Sequence, residues 1–241
     1  MEDRGNDVRR RRMGPTETLA TVVLALFGLA LLGLGIPRTM AAWAALDARP
    51  ALGKIRDGVQ PSAEELREGV QGLQRAKGWL AAERHLTDLG TLEFLLAQMV
   101  PLDQAARNTQ LATSERHLME GLVKNPADGV AWYRLAQVRQ AQGAVSASVK
   151  AALLQSVDMA PNQRQLWLGR AFGLIYYRSS LTPEEWEAAG GQLRTIWRTN
   201  SSIRSQLVEL LRGSGLGFAV LKEALASDPE GQEYFRSLGA K

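Results

Sequence analysis

The stretch LATVVLALFGLALLGLGI, residues 19–36, divides this chain into two parts and decides where the larger part can work. The stretch contains no charged residue. As a helix rising about 1.5 Å per residue it would be roughly 27 Å long, close to the ~30 Å hydrocarbon core of a bilayer. A helix buried in a soluble protein is rarely apolar on every side, whereas a membrane span is. The sequence therefore predicts a transmembrane helix, which we place at residues 17–37.

Four arginines at positions 9–12 precede this run and set its expected orientation. The positive-inside rule keeps residues 1–16 in the cytoplasm as a basic tail and exports the body of the protein. In a Gram-negative host the chain would be a single-pass protein of the inner membrane, with its main domain in the periplasm.

A cleaved signal peptide is the alternative interpretation of this N-terminus. Its cleavage site would be the small-residue motif at 42–44. The apolar run is longer than a usual signal-peptide core, and Pro37 and Arg38 separate it from that motif. Both features favour a retained anchor.

The composition restricts the classes of function. The chain has no cysteine, so it can form neither disulfides nor thiolate sites. Its net charge of +4 is spread thinly, with no block of basic residues outside the tail. Nucleic acid is therefore not an expected partner. The roughly 200 residues after the run suffice for one packed domain.

Helical periodicity predicts an all-α fold after the span. Apolar residues recur three and four positions apart, as at Trp186, Ala189 and Leu193. Ser62 with Glu65, and Thr182 with Glu185, have the spacing of capping boxes. We expect roughly eight to ten short helices. Breaks are expected near Pro61, Pro101, Pro126, Pro161, residues 179–180, residues 213–215 and Pro229.

Three of these prolines share a flanking pattern. Five residues before Pro126, Pro161 and Pro229 stand the small residues Gly121, Ser156 and Ala224. Six residues after them stand the aromatic residues Trp132, Trp167 and Phe235. Nine residues after them stand Leu135, Arg170 and Leu238, of which the arginine is the one misfit. Trp132 and Trp167 are expected in the core, and the small residues would let neighbouring helices approach closely.

This pattern, with its period near 34 residues, resembles the tetratricopeptide repeat (TPR). The resemblance implies a TPR-like solenoid of stacked helical hairpins over residues 113–241, preceded by a helical segment with a degenerate repeat at 38–112. An irregular helical bundle is the alternative. Over its whole length the chain also resembles, less specifically, single-span TPR-like proteins of bacterial exopolysaccharide systems. The stretches that carry this second resemblance are residues 124–132, 153–161 and 192–198.

The family pattern implies a binding surface on the first helix of the best repeat. It directs Tyr133, Gln137 and Gln140 into the concave face and places Arg134 at the rim. A tyrosine with two amides can hold a peptide backbone or sugar hydroxyls. Equally, the four can be ordinary solvated residues of a helix face.

No constellation of residues predicts catalysis. His85 and His117, the two histidines, follow Glu-Arg on polar helix faces, where solvated side chains are expected rather than metal ligands. The glycines at 213, 215 and 217 lack the rest of a phosphate-loop motif. The acid pairs at 64–65 and 184–185 fit the first turns of helices. We predict no catalytic, cofactor-binding or metal-binding residue.

The sequence thus favours a membrane-anchored, non-catalytic scaffold. Its expected partners are proteins of the bacterial envelope or of an exopolysaccharide assembly, with polysaccharide as a further candidate. Two alternatives stay open, namely a carbohydrate-binding or glycan-processing envelope subunit and a homo-oligomeric structural protein.

Overall fold

The computed structural model describes residues 15–199, 201–214 and 217–239, and every regular element in these ranges is helical. The α-helices are α1 (Pro15–Ala44), α2 (Arg49–Arg56), α3 (Ala63–Trp79), α4 (Glu83–Met99), α5 (Gln104–Lys124), α6 (Gly129–Ala141), α7 (Ser146–Met159), α8 (Trp167–Tyr176), α9 (Pro183–Thr199), α10 (Ser201–Ser214), α11 (Gly217–Ala224) and α12 (Pro229–Gly239). Short 3₁₀ segments occupy Ala45–Ala48, Arg164–Leu166 and Arg178–Ser180. The all-α class is confirmed, with more helices than expected.

The first helix is longer than the predicted span of residues 17–37. It continues through Pro37 to Ala44, because its last turns pack against α3 and Ala41 is fully buried. Residues 19–36 form a helix long and apolar enough to cross a membrane, and their large apolar side chains are exposed. Of the predicted basic tail, residues 1–14, including the four arginines, lie outside the described residues.

Side-chain caps fix two helix starts as predicted. The Ser62 hydroxyl accepts the Glu65 N–H, and the Glu65 carboxylate accepts the Ser62 N–H. Thr182 and Glu185 make the same reciprocal pair at the start of α9. Such boxes satisfy backbone donors that the first helical turn leaves unpaired.

Helices pack against both their neighbours and the next helix but one. Helix α4 packs on α5 and α6 on α7, and contacts also join α4 to α6, α7 to α9, α8 to α10 and α9 to α11. Successive helical pairs therefore pack side by side. The predicted boundary at residues 112–113 falls inside the unbroken helix α5.

The small residues of the sequence pattern lie where helices come closest. A Cβ on Gly121 would lie 2.5 Å from Thr87 Cγ2 of α4. Ser156 is fully buried and its hydroxyl donates to the Gly129 carbonyl at 2.5 Å, and Ala224 is also buried. A larger side chain at these positions would push the helices apart.

A hydrogen bond explains the six-residue spacing between the proline and the aromatic residue. The indole N–H of Trp132 donates to the carbonyl of Pro126 at 2.8 Å, and that of Trp167 to the carbonyl of Pro161 at 2.9 Å. Trp167 is buried as predicted, whereas Trp132 is half-buried at the edge of the same apolar cluster. Each indole thereby ties the start of a helix to the turn before it.

Candidate functional site

The four predicted binding residues lie on α6. This helix begins at Gly129 because the Asp128 carboxylate accepts the backbone N–H groups of Val130 and Ala131, both at 3.0 Å. Such an N-cap fixes the helix start and therefore which side chains share each face.

Three of the four predicted residues form one hydrogen-bonded chain. Arg134 Nη1 donates to Gln137 Oε1 at 2.7 Å, and Gln137 Nε2 donates to the Tyr133 hydroxyl at 3.3 Å. Gln140, one turn further on, is exposed. The amide of Gln137 is therefore already engaged on both sides, and Gln140 is the one whose amide faces solvent.

Tyr133, Gln137 and Gln140 lie together on a pocket of about 260 Å³ between α6 and α8. We call this the aromatic pocket. Its other lining residues are mostly apolar, and they are Ala136, Val149, Leu153, Leu168, Gly169, Phe172, Gly173, Tyr176 and Leu210. Tyr133 packs so closely on α8 that a Cβ on Gly169 would lie 1.9 Å from its hydroxyl. Burial raises the pKa of Tyr133, so this hydroxyl stays protonated and able to donate.

Arg134 does not line the aromatic pocket, and its expected place at the rim of the concave face stays a prediction. It is half-buried and forms part of the wall of a second, larger cavity. Its Nε is buried and has no hydrogen-bond partner among the residues that the structure describes. Burial lowers the pKa of its guanidinium, and the nearby Tyr133 acts in the opposite direction. An arginine with an unsatisfied donor beside a cavity can bind an acceptor brought by a ligand.

The second cavity, which we call the groove, has a volume of about 490 Å³. Its lining combines charged residues with apolar ones, and these include Leu52, Ile55, Arg56, Arg84, Thr87, Asp88, Thr91, Asp128, Arg134, Gln165 and Leu166. They come from α2, α4, α6 and the segment before α8. The groove therefore unites parts of the chain that are far apart in sequence, which spacing alone could not reveal.

Asp88 is the main titratable group of the groove. Burial raises its pKa to about 6, and the Asp128 charge adds to this effect. Arg84 acts in the opposite direction, with its Nε 3.8 Å from the Asp88 carboxylate. The groove therefore contains a carboxyl group whose charge changes just below neutral pH.

Arg170, the misfit of the repeat pattern, is a buried cross-link beside the site. It is fully buried, and it donates to Ser156 Oγ at 2.9 Å and to the Ala160 carbonyl at 2.7 Å. Its third donor reaches the Gly129 carbonyl at 3.4 Å. Burial lowers the pKa of Arg170 to about 10, so it remains charged at neutral pH. It joins the ends of α6 and α7 to α8.

The prediction that His117 is a solvated side chain is wrong. His117 is buried, and its Nδ1 lies 2.8 Å from the carboxylate of Glu93, which is also buried. The polar sequence around His117 on α5 does not indicate this contact, because Glu93 lies 24 residues earlier, on α4. His85 is half-buried, with its Nδ1 3.4 Å from the Leu80 carbonyl. Among the described residues there is no group of three or more potential ligands for a metal ion.

In each acid pair, the second carboxylate has structural partners. Lys150 approaches Glu185 at 2.8 Å, and this contact together with the Thr182 N–H lowers the pKa of the carboxylate. Lys54 lies 2.6 Å from Glu65 and, with the Ser62 N–H, lowers its pKa to about 2. Of the glycines considered as a phosphate loop, Gly213 lies in the last turn of α10 and Gly217 begins α11, while Gly215 lies outside the described residues.

Comparison with known proteins adds no assignment: the chain matches no protein-family model, no curated protein and no solved structure.

Proposed function

We propose that this chain is a membrane-anchored, non-catalytic scaffold whose TPR-like helical domain binds a segment of a partner protein. The partner class is a component of the bacterial envelope or of an exopolysaccharide assembly. The N-terminus would be cytoplasmic and the domain periplasmic, on the inner membrane.

The observation that carries this proposal is an exposed apolar helix that continues directly into a helical domain with two open cavities. Residues 19–36 present large apolar side chains to their surroundings, for example Leu24 and Phe27, which are 69% and 62% exposed. Exposure of so much apolar surface costs free energy in water and none in a bilayer. The helix therefore anchors the chain in the membrane, and the helical domain is the part that binds a partner.

Packing between helices two apart supports the TPR-like interpretation. Such contacts, α4 with α6 and α7 with α9, are those expected of hairpins stacked in a solenoid. The first helices of the hairpins then form one continuous surface, on which the groove and the aromatic pocket lie. The groove offers both charges and apolar surface, which suits a peptide segment better than a small apolar ligand.

Site-specific photo-crosslinking in native membranes tests this proposal. A photoreactive residue at Gln140, in the aromatic pocket, is compared with one at Gln155, an exposed glutamine on α7. We expect a discrete crosslinked protein from position 140 that is absent from position 155. Arg134→Ala should weaken that crosslink, because it removes a cation with an unpaired donor from the adjoining groove. Identical products from both positions, or none, would contradict the scaffold function.

A carbohydrate-binding role is the second candidate, and the lining of the aromatic pocket favours it. Tyr176 is 51% exposed and its ring stacks near Phe172, with 6.5 Å between ring centroids. An exposed aromatic ring beside the Gln140 amide is a combination that binds sugar rings. Titration of envelope oligosaccharides into the wild type and Tyr176→Ala checks it. Affinity that Tyr176→Ala leaves unchanged would exclude this pocket.

A further inference from the structure

The domain begins to cover α1 where the apolar run ends. Ile36 is 51% exposed, whereas the next residue, Pro37, is half-buried and Ala41 is fully buried. Ala44 and Ala48 continue the covered face, at the three- and four-residue spacing of one helix side. No linker therefore separates the apolar run from the domain, and the base of the domain must lie at the end of the span.

The contacts between α1 and α3 define which part of the domain forms this base. A Cβ on Gly72 would lie 2.7 Å from the Ala44 carbonyl, and one on Gly69 would lie 3.3 Å from Ala48 Cα. The two segments are therefore antiparallel. Trp79 follows Gly72 by seven residues, or about 10 Å of helix. It consequently lies at the level of Pro37, where the apolar run stops.

Exposed apolar side chains cluster at this level. Trp79 and Leu80 at the end of α3 are 49% and 37% exposed, and Val123 near the end of α5 is 80% exposed. The two helix ends are neighbours, because the Lys124 ammonium donates to the Ala81 carbonyl. We call Trp79, Leu80 and Val123 the basal surface.

We propose that the basal surface lies in the lipid headgroup layer of the same membrane that α1 spans. This inference rests on the proposed membrane anchor. Each headgroup layer is roughly 5–7 Å thick, so a surface level with Pro37 lies inside it. Tryptophan is enriched at this depth because its ring is apolar and its N–H is polar.

Continuity with the span is what identifies lipid as the occupant. A second copy or another protein could cover Trp79 and Val123 only by displacing the headgroups that surround the end of α1. The cation of Lys124 lies beside the patch and can approach lipid phosphates. The domain is then held at fixed height and tilt, rather than on a flexible tether.

Spin labels in the full-length chain test this placement. The sequence contains no cysteine, so each introduced cysteine can be labelled without first removing a native one. The sites are Leu80→Cys and Val123→Cys on the basal surface, Phe27→Cys in the span, and Val145→Cys. Val145 is the matched control, since it is 75% exposed and precedes α7, at the opposite helix end from Val123.

The protein is reconstituted in nanodiscs of phosphatidylethanolamine and phosphatidylglycerol. Collision of each label with oxygen, which concentrates in lipid, is compared with collision with a water-soluble nickel chelate. We expect the oxygen-to-nickel ratio to be high at position 27, intermediate at 80 and 123, and low at 145. A ratio at 80 and 123 as low as at 145, with position 27 in lipid, would overturn the basal-surface proposal alone.

Two further outcomes are informative. A low ratio at position 27 itself would overturn the membrane anchor, and the basal surface with it. Labels at 80 and 123 that are shielded from both reagents, and that broaden each other's spectra between chains, would assign the surface to a second copy and overturn the lipid assignment.

Discussion

At the residue scale, the groove and its surroundings contain polar groups that are held in unfavourable environments. Burial makes the Asp88 carboxyl group harder to ionise. Arg170 is a fully buried cation, and its hydrogen bonds go to neutral oxygen atoms. Buried polar groups are costly unless their hydrogen bonds are complete. Their energetic roles should therefore differ: Asp88 lowers stability at neutral pH, and Arg170 supports it.

Replacement of Asp88 by asparagine should stabilise the protein at pH 7.5. The folded-state pKa of about 6 exceeds the ordinary value of 3.8, so the folded protein binds this proton more tightly than the unfolded chain. The contribution of Asp88 to stability therefore falls as pH rises from about 4 to about 6, and asparagine avoids this loss. We expect a gain of roughly 1–3 kcal/mol at pH 7.5 that disappears below pH 4.

Urea unfolding at both pH values measures this difference, with Asp158→Asn on the exposed surface of α7 as the control. A gain of the same size at pH 4 and pH 7.5 would show that the effect does not come from ionisation.

Replacement of Arg170 by alanine should destabilise the protein by about 3–5 kcal/mol. The change leaves a cavity and removes the donor to the Ala160 carbonyl, and both losses are costly in a buried site. Arg164→Ala, an exposed arginine near the Trp167 ring, should cost below about 1 kcal/mol. Thermal unfolding of the two variants measures both losses of stability. Equal losses would refute a structural role specific to Arg170.

At the element scale, neighbouring helix pairs are held by small residues at their closest points. Gly121 on α5 faces Thr87 on α4, and Ser156 on α7 faces Gly129 at the start of α6. The Trp132 and Trp167 indoles then fix how each turn joins the next helix. Close approach and turn geometry together define the stacking of the pairs.

Two glycine substitutions should have opposite signs. Gly121→Ala places a methyl group 2.5 Å from Thr87 Cγ2 and 3.1 Å from the Glu83 carbonyl, so we expect a net loss of about 1–2 kcal/mol. Gly53→Ala on α2 meets no atom within 4 Å and should stabilise the helix by up to about 1 kcal/mol. Chemical denaturation of both variants provides the measurement. If Gly121→Ala stabilised the protein as Gly53→Ala does, close packing at this position would be refuted.

At the scale of the whole molecule, one continuous body carries the long apolar helix at one end. The apolar cluster of α2, α3 and α4 and the larger cluster from α4 to α12 meet at Leu95, which packs against both. The last turns of α1 join the first of these layers through Ala41 and Ala44. Movement of the span and of the domain should therefore be coupled.

Charges placed in the apolar run should release the protein from membranes. Leu26 and Leu31 are 61% and 55% exposed, and arginine at the centre of a span costs about 2.5–3.5 kcal/mol per residue. We expect Leu26→Arg with Leu31→Arg to shift the chain to the soluble fraction after alkaline carbonate extraction, whereas valine at both positions should leave it in the membrane. Retention of the arginine variant would argue against a spanning helix.

The sequence by itself determined the helical class, the apolar helix, the capping boxes and the small and aromatic residues of the repeat. These features are local: periodicity, caps and turn spacing depend on residues within a few positions of one another. Its TPR-like and polysaccharide interpretations remain predictions.

Only the tertiary structure decided which polar residues lie inside. The pairing of His117 with Glu93, the burial of Arg170 on Ser156 and the placement of Arg134 in the groove join helices that are distant in sequence. The same holds for the basal surface, because the ends of α3 and α5 meet there only after folding. Burial and charge environment are set by what packs opposite a residue, and the pattern along one helix does not contain that information.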